Sequence, residues 1–148
     1  MNKMIIGVDP DSGKSGFAVY YNGKLVELVC YSLIDIYHFI KCELTDINQE
    51  IELHIENVKG VSGIFAQRTA GKNKAVALKM AQHVGMCKQV QTEIERIAES
   101  LNVKIVHHKA SKMWKKDKAQ FEKVTGWKGR SNEDSRSAAY FGFLGLTK

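Results

Sequence analysis

Ile5-Ile6-Gly7-Val8-Asp9-Pro10-Asp11-Ser12-Gly13 is the stretch around which the chain reads. An apolar run beginning at Met4 ends on a single carboxylate, Asp9, and then turns sharply through Pro10, Asp11, Ser12 and Gly13. A carboxylate at the end of a buried strand is costly unless its charge is compensated. Two readings follow. Asp9 holds a metal ion or pairs with a cation, or it caps the turn with its own side chain.

Outward from this stretch, residues 4–9 read as a strand apolar enough to be central in a sheet. Residues 16–21 (Gly-Phe-Ala-Val-Tyr-Tyr) read as a second strand. Asn22-Gly23 is a two-residue hairpin signal, so residues 24–32 form a third strand antiparallel to the second. Leu33, Ile36, Tyr37, Ile40 and Leu44 have helical spacing, which predicts a helix over 33–47. Residues 51–56 (Ile-Glu-Leu-His-Ile-Glu) alternate apolar and polar and predict a strand that also ends on a carboxylate, Glu56. Residues 57–73 are loop-like, with Gly60, Gly63 and Gly71 and an exposed-looking Ile64-Phe65 pair. A long helix over 73–100 carries the stripe Val76, Met80, Val84, Cys87, Val90, Ile94, Ile97, Leu101. Residues 103–107 predict a fifth strand. Short helices are expected over 110–116 and 118–124, and a closing helix over 132–146. This succession of strands and helices predicts an α/β fold with a mixed five-stranded sheet, a three-strand antiparallel meander plus parallel strands, flanked by helices.

The 148 residues suffice for one full core and predict a single domain, 1–148. No apolar run approaches the roughly 18–20 residues of a membrane span, and Met1-Asn2-Lys3 does not open a signal peptide, so a cytoplasmic protein is expected. The three cysteines, Cys30, Cys42 and Cys87, are scattered within apolar patterns and read as reduced core residues. The five histidines have no metal-finger spacing with them.

Net charge is +6, unevenly spread. Residues 1–58 carry 4 basic and 9 acidic side chains; residues 59–130 carry 16 basic and 5 acidic. Cations on that scale suit a polyanion, most simply nucleic acid, although a solvated lysine-rich face is the plain alternative.

If the first and fourth strands are central and parallel, Asp9 and Glu56 lie side by side at one sheet edge. Glu133 and Asp134 open the last helix, where the helix dipole favours negative charge. Should that helix begin beside the first strand, three or four carboxylates converge. Crowded like charges persist when divalent cations neutralise them. Hard oxygen ligands select Mg²⁺ or Mn²⁺, and a pair of such ions about 4 Å apart is a general device for cutting phosphodiesters.

With these motifs the chain resembles the RuvC-type Holliday junction resolvases, especially the short members found in phages, over nearly its whole length. Ile6 to Gly13 resembles the family's first acidic strand, and Ile55-Glu56-Asn57-Val58 its second acidic motif. The segment Ala77-Leu78-Lys79-Met80-Ala81-Gln82-His83-Val84-Gly85 is similar to the family's Ala-Leu-Lys-Leu-Gly-Gln-x-x-Gly helix. Trp114-Lys115 and Lys118-Ala119-Gln120-Phe121 resemble its lysine-bearing steps. Asn132 to Ala139 resembles its C-terminal acidic helix. In the register that keeps Asn-Glu, Arg and Ala aligned, Ser137 stands where the family has its final aspartate. In the other register Asp134 is that aspartate.

The resemblance implies a ribonuclease H-like fold, a homodimer, and Mg²⁺- or Mn²⁺-dependent cutting of branched DNA such as a four-way junction, with two ions per active site. It implies that Asp9, Glu56 and Asp134 hold the metals, with Glu133 as a further ligand. Lys115 and Lys118 then neutralise phosphate charge at the catalytic centre. Lys59, Arg68, Lys72, Lys112 and Arg130 grip backbone phosphates. Phe65 stacks at the strand-exchange point or anchors its loop. A junction-binding protein without cleavage, and a ribonuclease H-like nuclease on another nucleic acid, are the rival functions. A sugar-kinase-like fold also starts from strand, Asp and turn, but 148 residues do not hold its two glycine-rich phosphate loops.

Overall fold

The computed structural model describes residues 2–60, 71 and 73–147. Its strands are β1 (Asn2–Asp9), β2 (Ser15–Tyr21), β3 (Lys24–Tyr31), β4 (Gln49–Glu56) and β5 (Lys104–His108). Its helices are α1 (Leu33–Glu43), α2 (Lys74–Ser100), α3 (Lys118–Thr125) and α4 (Glu133–Leu146), with a single 3₁₀ turn at Val58–Gly60. Each helix starts where the sequence offers a side-chain acceptor for an otherwise unpaired backbone N–H: Ser32, Asn73, Asp117 and Asn132.

The sheet order is β3-β2-β1-β4-β5. β1, β2 and β3 form an antiparallel meander, whereas β1 pairs parallel to β4 and β4 parallel to β5. Asn22 and Gly23 both take positive φ, 46° and 86°, as a two-residue hairpin with strand-matched twist requires. One face of the sheet buries Met4, Ile6, Val8, Phe17, Val19, Ile51, Leu53 and Ile55 against Ile36 and Ile40 of α1 and Ile94 and Ala98 of α2. The other face buries Ile5, Ala18 and Tyr20 against Ala138 and Ala139 of α4, with Trp114 and Phe121 closing that layer.

α4 lies unusually close to the sheet. A Cβ added at Gly7 would stand 2.0 Å from the Ala138 carbonyl oxygen, and one at Gly16 would stand 2.1 Å from that of Asp134. Tyr20 Oη donates to the Ala139 carbonyl oxygen at 2.7 Å, fixing the helix along β2. The helix therefore rests directly on backbone, with its first turn over the start of β2.

Three sequence expectations need correction, and the α2 stripe proves divided. The helix expected over 110–116 does not form. Trp114 instead takes a left-handed φ of 66° and inserts its ring among Phe121, Tyr140 and Phe143. The Arg136 guanidinium takes the carbonyl oxygens of Trp114 and Lys115 that a helix would have used internally. The helix expected over 33–47 stops at Glu43, after which residues 44–48 turn into β4. The stripe on α2 is core only in its C-terminal half. Val90, Ile94, Ile97 and Leu101 pack on the sheet, whereas in the N-terminal half Val76 is 40% exposed and Met80, Val84 and Cys87 are half-buried; Leu78 and Met86, off the stripe, are 61% and 48% exposed. The cysteines are not core residues: Cys42 is exposed, and Cys30 and Cys87 are only half-buried.

The alternation along β4 has a consequence that periodicity did not predict. Its polar face is covered by α4, so Glu52 and His54 are buried. His54 bonds Glu52 Oε1 through Nε2 at 2.6 Å and His108 Nε2 through Nδ1 at 2.7 Å. Among the described residues no helix is long and apolar enough to cross a membrane.

Candidate active site

Asp9 and Glu56 end adjacent parallel strands. The β1–β4 register pairs Val8 with Ile55, so the next residue on each strand delivers its carboxylate to the same sheet edge. Both are buried, at 4% and 9% exposure. The turn after β1 is closed by Asp11, not by Asp9. Asp11 Oδ1 accepts the Ser12 N–H at 2.8 Å, and the Asp11 N–H donates to Ser15 Oγ at 3.1 Å. Turn capping is thereby accounted for without Asp9, whose Oδ2 makes no hydrogen bond among the described residues. The cation facing that oxygen is Lys115, with Nζ at 3.4 Å.

The third carboxylate arrives from α4. Asn132 accepts the Ser135 N–H and Ser135 Oγ accepts the Asn132 N–H, so a reciprocal cap serves the helix start. Asp134, in the first turn, is free of capping duty and is held above Gly16 by the close helix–sheet approach. Burial, then repulsion from Asp9 and Asp11, raises its proton affinity. Glu133, beside it, is exposed and lines a cleft of about 550 Å³ together with Glu56, Ala110, Ser111, Lys112, Lys115 and Lys116.

The electrostatics define these groups as one cluster. Glu56 is pushed up to about 8, first by burial and then by a hydrogen bond to Asp9 and repulsion from it. Lys115 titrates above its ordinary range: burial opposes its charge, but Asp9, Glu56 and Asp134 together outweigh it. One lysine thus faces three carboxylates, leaving a surplus of negative charge in a half-desolvated place. The buried Asp9 carboxylate, a Glu56 carboxyl pushed up to about 8 and Asp134 beside them form a crowded anionic group whose charge a hard divalent cation could neutralise. The donor set, all oxygen, fits Mg²⁺ or Mn²⁺.

Lys115 is aimed by a residue that sequence reading did not single out. Arg136 is buried, and its Nε donates to the Trp114 carbonyl oxygen at 2.9 Å. Its Nη2 donates to that of Lys115 at 2.5 Å, and its Nη1 to Ser131 Oγ at 3.0 Å. A second such residue is Gln91, 1% exposed on α2. Its Oε1 accepts the Val58 and Lys59 N–H groups at 2.8 and 3.1 Å, and its Nε2 donates to Asn57 Oδ1 at 3.1 Å. Gln91 therefore fixes the chain where it leaves Glu56. Buried polar side chains on otherwise apolar helix faces were the available signal for both.

The remaining expected residues divide. Lys112 lies on the cleft with Lys115, and Lys116 joins them unforeseen. Lys59 is engaged in an ion pair with Glu95, which also bonds His107 Nε2 at 2.6 Å. Lys118 and Arg130 are exposed and outside the cleft lining. Phe65, Arg68 and Lys72 lie outside the described residues. Ser137, the alternative to Asp134 in the motif register, is fully buried, and its Oγ has no hydrogen-bond partner among the described residues. A further cluster, Asp11, His83 and Cys87, gathers three metal-ligating atoms beside the turn. The Cys87 thiol is pushed up to about 11, by burial first and by Asp11 and Asp9 after it.

No family model and no curated protein sequence matches the chain. Solved structures do. Thermus thermophilus RuvC in complex with a Holliday junction substrate superposes with a TM-score of 0.58 at 14% identity, covering 95% of this chain and 90% of that one. T. thermophilus RuvC alone gives 0.54 at 15%, with 95% and 91% covered. Fowlpox virus resolvase in complex with Holliday junction DNA gives 0.52 at 13%, with 97% and 98% covered. At such identities the likeness is one of fold. The chain has the mixed-sheet, ribonuclease H-like α/β fold found in RuvC and the poxvirus resolvase.

Proposed function

We propose that this protein is a divalent-cation-dependent endonuclease that cuts branched DNA, four-way junctions in particular. The observation that carries this reading is the meeting of Asp9, Glu56 and Asp134 around Lys115 at the mouth of a cleft bearing Lys112 and Lys116. The likeness of the fold to junction-bound resolvases supports the substrate class.

Asp9, Glu56 and Asp134 would hold two Mg²⁺ or Mn²⁺ ions, with Glu133 at the rim. Such ions supply an acidified water and neutralise charge on the phosphate. The chain's own part is positional and electrostatic. The three carboxylates, fixed by two strand ends and a capped helix, keep a rigid anionic cradle. Lys115, held by Arg136, brings a positive charge to the scissile phosphate. Attack by water breaks the bond from phosphorus to the 3′ oxygen and leaves 5′-phosphate and 3′-hydroxyl ends. Lys112 and Lys116 contact backbone phosphates, which favours shape over base sequence.

A homodimer suits a substrate with approximate two-fold symmetry. The uncovered Val76, Leu78 and Met86 on the N-terminal half of α2 support that helix as the contact between copies.

Asp9→Asn is expected to abolish Mg²⁺-dependent nicking of a synthetic four-way junction while leaving junction binding in a mobility-shift assay intact. Unchanged cleavage refutes the metal-site reading. A second reading, a junction-binding protein without cleavage, is favoured by Ser137 in its buried position. Products from the wild-type protein in Mn²⁺ eliminate it.

A further inference from the structure

Beside the carboxylate centre is a cluster of different chemistry. His83 and Cys87 stand one turn apart on α2 and face Asp11 in the turn after β1. Cys87 Sγ is 3.6 Å from Asp11 Oδ1 and 3.7 Å from His83 Nε2, and His83 Nε2 is 3.7 Å from Asp11 Oδ1. These three atoms form a nearly equilateral triangle. From these edges, the point equidistant from all three lies about 2.1 Å from each, where Zn²⁺ bonds run to about 2.0–2.2 Å for nitrogen and oxygen and about 2.3 Å for sulfur. A shift of about 0.2 Å away from the sulfur reconciles the lengths, and a small displacement out of the plane leaves a fourth, open position.

We propose that Asp11, His83 and Cys87 bind one thiophilic transition-metal ion, Zn²⁺ by preference, at a site separate in composition from the all-oxygen centre. Thiolate and imidazole donors select against Mg²⁺, so the two centres do not compete for one ion. The Ser12 N–H, donating to Asp11 Oδ1 at 2.8 Å, and Ser15 Oγ, accepting the Asp11 N–H, already fix the carboxylate ligand as supporting hydrogen bonds do at metal sites. The His83 side chain is 58% exposed and that of Asp11 32%, which leaves an entry path. Binding forms the metal–sulfur bond as the Cys87 thiol proton leaves to solvent. The ion then staples the middle of α2 to the turn that follows Asp9. The trio does not show in the sequence, because Asp11 and Cys87 are 76 positions apart.

Co²⁺ serves as the spectroscopic probe, added to the reduced, metal-stripped full chain in excess Mg²⁺, with Zn²⁺ as competitor. The expected result is a sulfur-to-cobalt charge-transfer band that saturates at one equivalent and is displaced by Zn²⁺. It vanishes in Cys87→Ser and persists in Asp9→Asn and in the Cys30→Ser, Cys42→Ser double variant. In His83→Ala, affinity falls by more than the roughly 10- to 100-fold that loss of a supporting contact costs. Far-ultraviolet circular dichroism verifies that each variant is folded. No band in the wild type, or a band that survives Cys87→Ser, overturns the proposal. The readout does not involve cleavage, so it stands or falls apart from the nuclease reading.

Discussion

Replacing Glu56 by glutamine is predicted to stabilise the metal-free protein at high pH while removing its response to Mg²⁺. Burial and the neighbouring Asp9 hold the Glu56 carboxyl near 8 instead of the 4.5 of a free glutamate. The folded chain therefore binds more protons than the unfolded chain between those values. Its stability is greatest below the unfolded value and falls as pH rises through the window. Each tenfold in proton affinity is about 1.4 kcal/mol, which sets an upper bound of about 5 kcal/mol once the group is fully ionised. Sharing of the proton with Asp9 and the partly polar surroundings reduce this to about 2–4 kcal/mol. Glutamine keeps a donor toward Asp9 but cannot ionise. The assay is urea unfolding of wild type and Glu56→Gln in chelator at about pH 5 and about pH 9. The two proteins are expected to be similar at the lower pH and to separate by that amount at the higher one. Adding Mg²⁺ at high pH recovers the wild type and not the variant. A difference that moves by less than about 0.5 kcal/mol with pH refutes the claim that burial and Asp9 hold this proton.

Arg136→Lys removes a planar fork that serves the carbonyl oxygens of Trp114 and Lys115 together; a loss of about 3 kcal/mol or more is expected by chemical denaturation, with weakened Mg²⁺ binding as Lys115 drifts from Asp9. Gly16→Ala forces a methyl against the Asp134 carbonyl oxygen, so α4 must lift; the expected cost is about 1–3 kcal/mol or more, together with a loss of Mg²⁺ affinity by calorimetry that a change remote from α4 would not cause. Gln91→Leu strands the Val58 and Lys59 N–H groups, and hydrogen exchange at those two amides should accelerate at a cost of about 1–3 kcal/mol.

The local signals were strong where chain geometry is local. The Asn22-Gly23 hairpin, the apolar run of β1 and the alternation of β4 depend on neighbours within a few residues, and the structure has them. The acidic residues were readable too, because a carboxylate ending an apolar run is visible in one dimension. Residues 110–116 misled because their conformation is decided by Arg136, some 20 positions later, whose guanidinium competes for the carbonyl oxygens. The α2 stripe left its partner open because helical spacing records which face is apolar and not what covers it.

By itself the sequence determined the order of the strands, the placing of Asp9 and Glu56 at strand ends, and the segregation of cations into the middle of the chain. All of these are properties of composition and short-range spacing. Only the tertiary structure decided that Asp11, not Asp9, closes the turn, and that Asp134 joins Asp9 and Glu56 around Lys115. It alone brought Asp11 to His83 and Cys87. The physical reason is that burial and Coulomb interaction depend on distance through space, which the close seating of α4 on Gly7 and Gly16 sets and which no spacing along the chain records.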